Sequence, residues 1–199
     1  MTPPAARLLA SGDPALIPGS ELAVARARVL DAVGPTADQR RPFLELLAEH
    51  DDALVRSCLP GHLTGSAFVV DASGERALLL FHAKLGRWLQ PGGHADGEAD
   101  SAAVALREAT EESGIEGLRV AVPAIDLDIH EVAPPGEPAH LHFDVRFLVV
   151  APPDAEVRIN HESRGARWVT AAELATADVD TGLRRLARRG FALAATLTP

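Results

Sequence analysis

The fold of this chain is decided by residues 91–115, PGGHADGEADSAAVALREATEESGI, where two glycines precede a stretch with helical periodicity. Asp100 suits the N-cap of that helix, and Gly114 suits the position after its last turn. Three glutamates of the stretch are spaced i, i+3 and i+4: Glu108, Glu111 and Glu112. On a helix this spacing places three carboxylates on one face, where they repel one another unless a cation lies among them.

A hard divalent cation would remove this repulsion. Mg²⁺ prefers oxygen ligands, accepts a few carboxylates and commonly bridges to substrate phosphates. The pattern therefore predicts a platform for Mg²⁺ or Mn²⁺, with a solvated acidic helix face as the alternative for these glutamates taken alone. Gly92 and Gly93 would let the backbone approach the ion or a phosphate. Arg107, a candidate catalytic residue, is spaced to reach Glu111 one turn later and to hold its carboxylate in place.

The stretch resembles the Nudix box, G-x5-E-x7-R-E-U-x-E-E-x-G-U, where U is aliphatic. The matching positions are Gly93, Arg107, Glu108, Glu111, Glu112, Gly114 and Ile115, with the small Ala109 at the first U. The first glutamate of the box would fall at Ala99, whereas this sequence has Glu98 one position earlier. A shorter loop before the helix, with one extra residue after Glu98, would return this side chain to its usual place. Its role as a metal ligand is thus left open.

The resemblance implies an α/β (α+β) fold, a Nudix-like α/β/α sandwich with a mixed sheet, and extends more loosely over residues 64–175. It also implies hydrolysis of a nucleoside diphosphate linked to another moiety. In that reaction Mg²⁺ or Mn²⁺, held by the helix glutamates near Gly93, would activate a water that attacks phosphorus. Glu111 and Glu162 are both candidates for the base that accepts the proton. The alternative is a non-catalytic ligand-sensing or interaction module on the same fold.

A second polar group lies in HLHFDVRF, residues 140–147, where polar and apolar side chains alternate as in a strand with one face in the core. We predict that its polar face lines the cleft, with His140 and His142 contacting phosphate or a further metal; the alternative is an exposed sheet face with incidental histidines. The substrate-binding candidates are Arg87, His94, His140, His142 and Arg146. Zinc is disfavoured, because no compact set of Cys and His has the spacing of a structural zinc site.

Composition and charge argue against some classes of binding partner. The 199 residues carry a formal net charge of −9, which argues against nucleic acid, since that binding depends on Lys and Arg. No stretch approaches the roughly 20 apolar residues that cross a bilayer. We therefore predict a cytoplasmic protein with a small nucleotide-type diphosphate substrate and no membrane partner. A homodimer formed through the N-terminal helices is expected on symmetry grounds.

The chain is predicted to be one domain with an N-terminal helical segment, residues 1–60, packed on a Nudix-like part, residues 61–199. Residues 1–19 are expected to be irregular. Helices are then predicted from Ser20 to Gly34, from Pro42 over PFLELLAEH, and briefly over DALVRSC. A hairpin follows over TGSAFVVDASGERALLLFHAK, and strands are predicted at about 117–132 and 139–151. A helix capped by Thr170 and a basic final helix with a solvated arginine face complete the chain.

Overall fold

The computed structural model describes residues 6–133 and 138–197 of the chain. The strands are β1 (Arg7–Ala10), β2 (Gly61–Val70), β3 (Arg76–His82), β4 (Arg87–Leu89), β5 (Gly92–His94), β6 (Arg119–Val132), β7 (His140–Val150) and β8 (Ser163–Thr170). The helices are α1 (Leu22–Asp31), α2 (Ala37–Glu49), α3 (Ser101–Ser113), α4 (Ala171–Thr176) and α5 (Thr181–Leu197). None of the helices in the described ranges is long and apolar enough to cross a membrane.

All the strands belong to one sheet, in the order β1-β6-β7-β2-β3-β4, with β5 paired to β2 and β8 paired to β3. β2 and β7 are parallel along their length, from Gly61 opposite Leu141 to Val70 opposite Val150. The other pairs are antiparallel. The predicted mixed sheet is therefore confirmed, and β7, which carries HLHFDVRF, is a central strand.

Both faces of the sheet are covered, which explains the continuous apolar runs of its central strands. On β2, Leu63, Ala67 and Val69 point into a core shared with α1, α2 and α3. Phe68 and Val70 point the other way, into a core shared with α4 and α5. Two helical layers thus enclose the sheet, and the predicted α/β/α sandwich is confirmed.

The N-terminal segment differs from its prediction in three places. Residues 7–10 are not irregular but form an edge strand paired with β6. Helix α2 does not begin at Pro42: Thr36 and Gln39 form a reciprocal capping box that starts it earlier, so the proline lies inside the helix. Residues 51–57 form turns rather than a third helix. The sequence APPGEP at 133–138 predicts a surface loop between strands, and most of it lies outside the described residues.

Helix α3 begins and ends where its sequence predicts. The Asp100 carboxylate accepts a hydrogen bond from the amide of Ala102 at 3.0 Å, and Gly114 ends the helix in the left-handed conformation with φ of 66°. Asp100 also accepts hydrogen bonds from Arg28 of α1 at 2.6 and 2.8 Å and from the amide of Ile17 at 2.8 Å. One buried carboxylate therefore anchors the N-terminal segment to the start of α3.

The basic face of α5 is not wholly solvated, so that prediction was wrong for two of its arginines. Arg185 donates to Asp126 at 2.9 Å and to Asp128 at 2.6 Å, and Arg189 forms a very short ion pair with Asp126. The third cation of this group is Arg146 on β7. Asp126 and Asp128 lie on β6, each directly after an apolar core residue, Ile125 and Leu127. Their partners are on β7 and α5, so the cluster is visible only once these elements are packed together.

Candidate active site

The glutamates of α3 meet the glycine pair of β5. Small residues on α3, including Ala105 and Ala109, are buried and let the helix approach the sheet closely. The amide of Gly92 then donates to Oε1 of Glu112 at 3.1 Å. A Cβ placed on Gly93 would overlap the Glu108 carboxylate, so any other residue there would displace that carboxylate.

Arg107 holds the site together in a different way from the one predicted. Its Nη2 donates to the carbonyl of His94 at 2.9 Å and to Oε1 of Glu108 at 2.7 Å. The predicted pairing with Glu111 is wrong, because the exposed Glu111 is not a partner of Arg107 while its neighbour Glu108 is. Arg107 is therefore a positioning residue that joins α3 to β5.

The pKa shifts of the glutamates show that the negative charge of this site is not fully offset by its neighbours. Burial raises the pKa of Glu112 to about 7, and the Gly92 amide offsets only part of the shift. Part of this rise comes from three nearby carboxylates: Glu108, Glu162 and Glu111. Burial likewise raises the pKa of Glu108, against the opposing effect of Arg107.

Glu162 is thus brought to the helix glutamates from about fifty residues further along the chain. It lies in the turn before β8, where its carbonyl accepts from the amide of Ala83 at 2.7 Å and its amide donates to Asn160 at 2.9 Å. Its side chain is exposed, yet close enough to raise the pKa of both Glu108 and Glu112. Four carboxylates therefore share one small region.

Glu98 occupies a different place. Its Oε1 accepts from the amide of Asp100 at 3.0 Å, so the side chain supports the turn that leads into α3. The largest effects on the pKa of Glu108 and Glu112 come from other groups. Ala99, at the position of the missing box glutamate, is 1% exposed. The described contacts therefore give Glu98 a role in helix capping rather than beside the glutamate group.

The predicted substrate-binding residues divide into three groups. Arg87 is exposed on β4, opposite His82, at the end of β3 that lies near Glu162. Arg146 is 4% exposed and pairs with Asp144, Asp128 and Asp126, which does not fit contact with a substrate. The remaining candidates, His94, His140 and His142, belong to a histidine cluster.

That cluster also contains two residues the sequence reasoning missed, His62 and His130. The ring of His62 lies 5.1 Å from His94, 5.0 Å from His140 and 5.1 Å from His142, between ring centroids. His130 lies 5.4 Å from His142. A signal for His130 was available, because the predicted strands at 117–132 and 139–151 follow one another closely, and consecutive strands usually pair. No such signal exists for His62, because the histidines around it lie 32 to 80 positions away in the sequence.

The carboxylate group suits a hard cation better than the alternative of a solvated acidic face. Its donors are oxygens, and Glu112 is only 7% exposed without a cationic partner in the described part of the chain. Like charges held this closely are stabilised when a cation lies between them. The residues that would hold Mg²⁺ or Mn²⁺ are Glu108, Glu112 and Glu111, with the backbone at Gly93 alongside.

Comparisons with known proteins agree with this arrangement. The family model described as the NUDIX domain matches residues 62–189. An octanoyltransferase from Myxococcus xanthus is 33% identical over 138 residues, which are 66% of this chain and 35% of that protein. The chain thus spans about a third of that relative's length.

Two solved structures are similar in fold. One is a binary complex of an Ap4A hydrolase from C. elegans, with a TM-score of 0.55 and 21% identity over 67% of this chain and 98% of that one. The other is a NUDIX-family hydrolase from Clostridium perfringens, with a TM-score of 0.51 and 22% identity over 68% and 97% of the two chains. At these identities the likeness concerns the fold.

Proposed function

This chain belongs to the NUDIX domain family, and we propose that it is a hydrolase that cleaves a small nucleoside diphosphate derivative with the help of Mg²⁺ or Mn²⁺. The observation that carries the proposal is the meeting of Glu108 and Glu112 with the Gly92–Gly93 backbone. Burial and mutual repulsion disfavour the charged form of these carboxylates, and a bound cation would stabilise it. A diphosphate, which is itself anionic, could approach only once that charge is offset.

Each residue of the site has a distinct task. Glu108 and Glu112 would hold the ion, and Arg107 keeps Glu108 in place through its second hydrogen bond to the carbonyl of His94. When bound, the ion would offset the charge of the diphosphate and make a nearby water more acidic. Gly93 leaves the space that a side chain would fill.

In the reaction the oxygen of water forms a new bond to one phosphorus, and the bridging P–O bond of the anhydride breaks. The electron pair of that bond leaves with the second phosphoryl group. The proton of the water passes to a carboxylate, and we assign this role to Glu162. It is exposed, so it can exchange its proton with solvent, and it belongs to the same electrostatic group as Glu108 and Glu112.

The test is hydrolysis of a panel of nucleotide sugars, dinucleotides, ADP-ribose and nucleoside triphosphates with Mg²⁺ or Mn²⁺. We expect turnover of at least one substrate by the wild type and loss of it in Glu112→Gln. Glu116→Gln is the matched control, because Glu116 is exposed four residues beyond Glu112 and outside the carboxylate group. Nucleotide binding without turnover by the wild type would contradict the proposal and favour a ligand-sensing module.

A further inference from the structure

Three histidines from three different strands converge on one point of the sheet. They are His62 of β2, His94 of β5 and His142 of β7, and each offers a ring nitrogen within 4.8 Å of the other two. The β2 register explains the meeting, since His62 lies opposite His142 and two positions before Thr64, the partner of His94. All three side chains lie on the sheet face opposite α3.

The ring nitrogens at this point lack ordinary partners. His62 is 1% exposed, and neither of its ring nitrogens makes a hydrogen bond of good geometry to the described residues. The groups that act on its ring besides burial are His140, Arg56, Asp96 and the Cys58 backbone. Nε2 of His142 is buried and unpaired as well. Burying a polar group without a partner is costly, so such nitrogens indicate a ligand.

The protonation states suit coordination. Burial, with smaller contributions from neighbouring histidines and, for His94, from Arg56, lowers the pKa of His94 to about 4 and that of His142 to about 2. Burial also lowers the pKa of His62. At neutral pH the three rings are therefore uncharged, and each can present a nitrogen lone pair.

We propose that His62, His94 and His142 bind a transition-metal ion of the zinc class, at a site separate from the carboxylate group. Imidazole nitrogen suits Zn²⁺, whereas Mg²⁺ prefers the oxygen ligands of Glu108 and Glu112. Ligand nitrogens around tetrahedral zinc lie about 3.3 Å apart, given Zn–N bonds of about 2.0–2.1 Å. Small rotations of the rings would close the present separation, and the fourth position is left for water or another ligand.

Two neighbouring histidines of the cluster already have partners of their own. His130 receives a contact from Asp128 at 3.1 Å, and Nδ1 of His140 lies 2.9 Å from the carbonyl of Pro138. Asp144 is not a ligand, because Thr64, Ser66 and Arg146 already bond its oxygens. The sequence argued against zinc because no compact set of Cys and His has the spacing of a structural zinc site. Spacing along the sequence says nothing about residues that meet from separate strands.

The site would fix β5 to the sheet. β5 has three residues, of which Gly92 and Gly93 meet the helix glutamates and His94 would be bound to the metal. A metal bridge from His94 to β2 and β7 would hold the glycine pair in position. The proposal does not depend on the hydrolase activity, because zinc binding can be measured directly.

A second group of potential ligands, His50, Asp52 and Cys58, is a weaker candidate. Burial raises the pKa of the Cys58 thiol to about 11, and Asp52 raises it further. The thiol therefore stays protonated at neutral pH, whereas metal binding requires the thiolate. This group serves as a comparison in the test.

The experiment is zinc binding to the full chain after removal of metals with a chelator. We measure Zn²⁺ retained after gel filtration, affinity by competition with a chromophoric chelator, and the visible absorption of the Co²⁺ form. We expect about one Zn²⁺ per chain, a tetrahedral Co²⁺ spectrum and a higher Tm with zinc. His94→Gln and His142→Gln should each weaken binding by roughly 100-fold or more, beyond the ~10–100-fold cost of changing a supporting group.

Two partly exposed ligands are chosen because replacing the buried His62 risks unfolding. The controls are His161→Gln, an exposed histidine outside the cluster, His50→Gln in the weaker group, and Glu112→Gln in the carboxylate group. All three should keep zinc. Zinc binding that survives both His94→Gln and His142→Gln, or that disappears in Glu112→Gln or His50→Gln, would overturn the proposal, as would failure of the wild type to bind zinc.

Discussion

The amide of Gly92 donates a 3.1 Å hydrogen bond to Oε1 of Glu112, which places a buried carboxylate against the backbone of β5. The next residue, Gly93, lies against Glu108 with no room for a side chain. Two adjacent glycines thus position two glutamates that are one helical turn apart. This contact between α3 and β5 therefore sets the positions of the two carboxylates.

Gly93→Ala should abolish or strongly reduce hydrolysis, because the new Cβ would push the Glu108 carboxylate out of place. We expect a fall of at least about 100-fold in kcat/KM, the cost of misplacing a group by about 1 Å. The measurement is the rate over a Mn²⁺ titration. Gly165→Ala is the control, since its Cβ would meet Trp88 at an ordinary 3.5 Å. Equal rates in the two variants would show that the contact is unimportant.

Glu112 should make the stability of the metal-free protein depend on pH. Its pKa rises from 4.5 to about 7 on folding, so its protonated form is favoured in the folded state. This contribution is fully present below pH 4.5 and is lost as the pH rises through about 7. The free energy of unfolding of Glu112→Gln should therefore exceed that of the wild type at pH 8 by up to about 3 kcal/mol. The difference should be smaller at pH 5.

Denaturant unfolding of both proteins at the two pH values, in the presence of a chelator, measures this difference. Mg²⁺ or Mn²⁺ should bind the wild type more tightly as the pH rises through about 7, because the ligand must lose its proton. A difference in stability that does not change with pH would be inconsistent with the raised pKa.

Glu162→Gln should lower kcat by about 10²–10⁴-fold if its carboxylate accepts the proton of the water. KM should change little, and the acidic limb of the pH–rate profile should be altered. Glu111→Gln is the matched variant, since Glu111 is also exposed and belongs to the same carboxylate group. An unchanged pH–rate profile in Glu162→Gln, with the acidic limb altered in Glu111→Gln at saturating Mg²⁺, would transfer the role of base to Glu111.

Asp126→Asn should destabilise the fold strongly. Asp126 is fully buried and pairs with Arg185 and Arg189, so its loss leaves cationic groups without compensation. Breaking a buried pair in this way costs about 3–5 kcal/mol. The check is the free energy of unfolding in urea, with Glu156→Gln as the control. Glu156 pairs with Arg158 on the surface, and its replacement should change stability by less than about 1 kcal/mol.

Much of the fold could be predicted because its signals are local. The caps of α3 at Asp100 and Gly114 and the box at Thr170 each depend on residues within one turn, and all three are present. Local signals also misled. Pro42 predicts a helix start, but the capping box at Thr36 begins the helix earlier. Residues 7–10 were missed as a strand because edge pairing with β6 depends on a partner more than a hundred positions away.

The sequence by itself determined the carboxylate platform, because i, i+3 and i+4 spacing on a helix places Glu108, Glu111 and Glu112 together whatever surrounds them. Only the tertiary structure decided what joins that platform. Glu162 reaches it from the turn before β8, and the three histidines meet because β2 pairs with both β5 and β7. Helical neighbours are set by backbone geometry, whereas neighbours across a sheet are set by strand order and register, which depend on burial of the whole core.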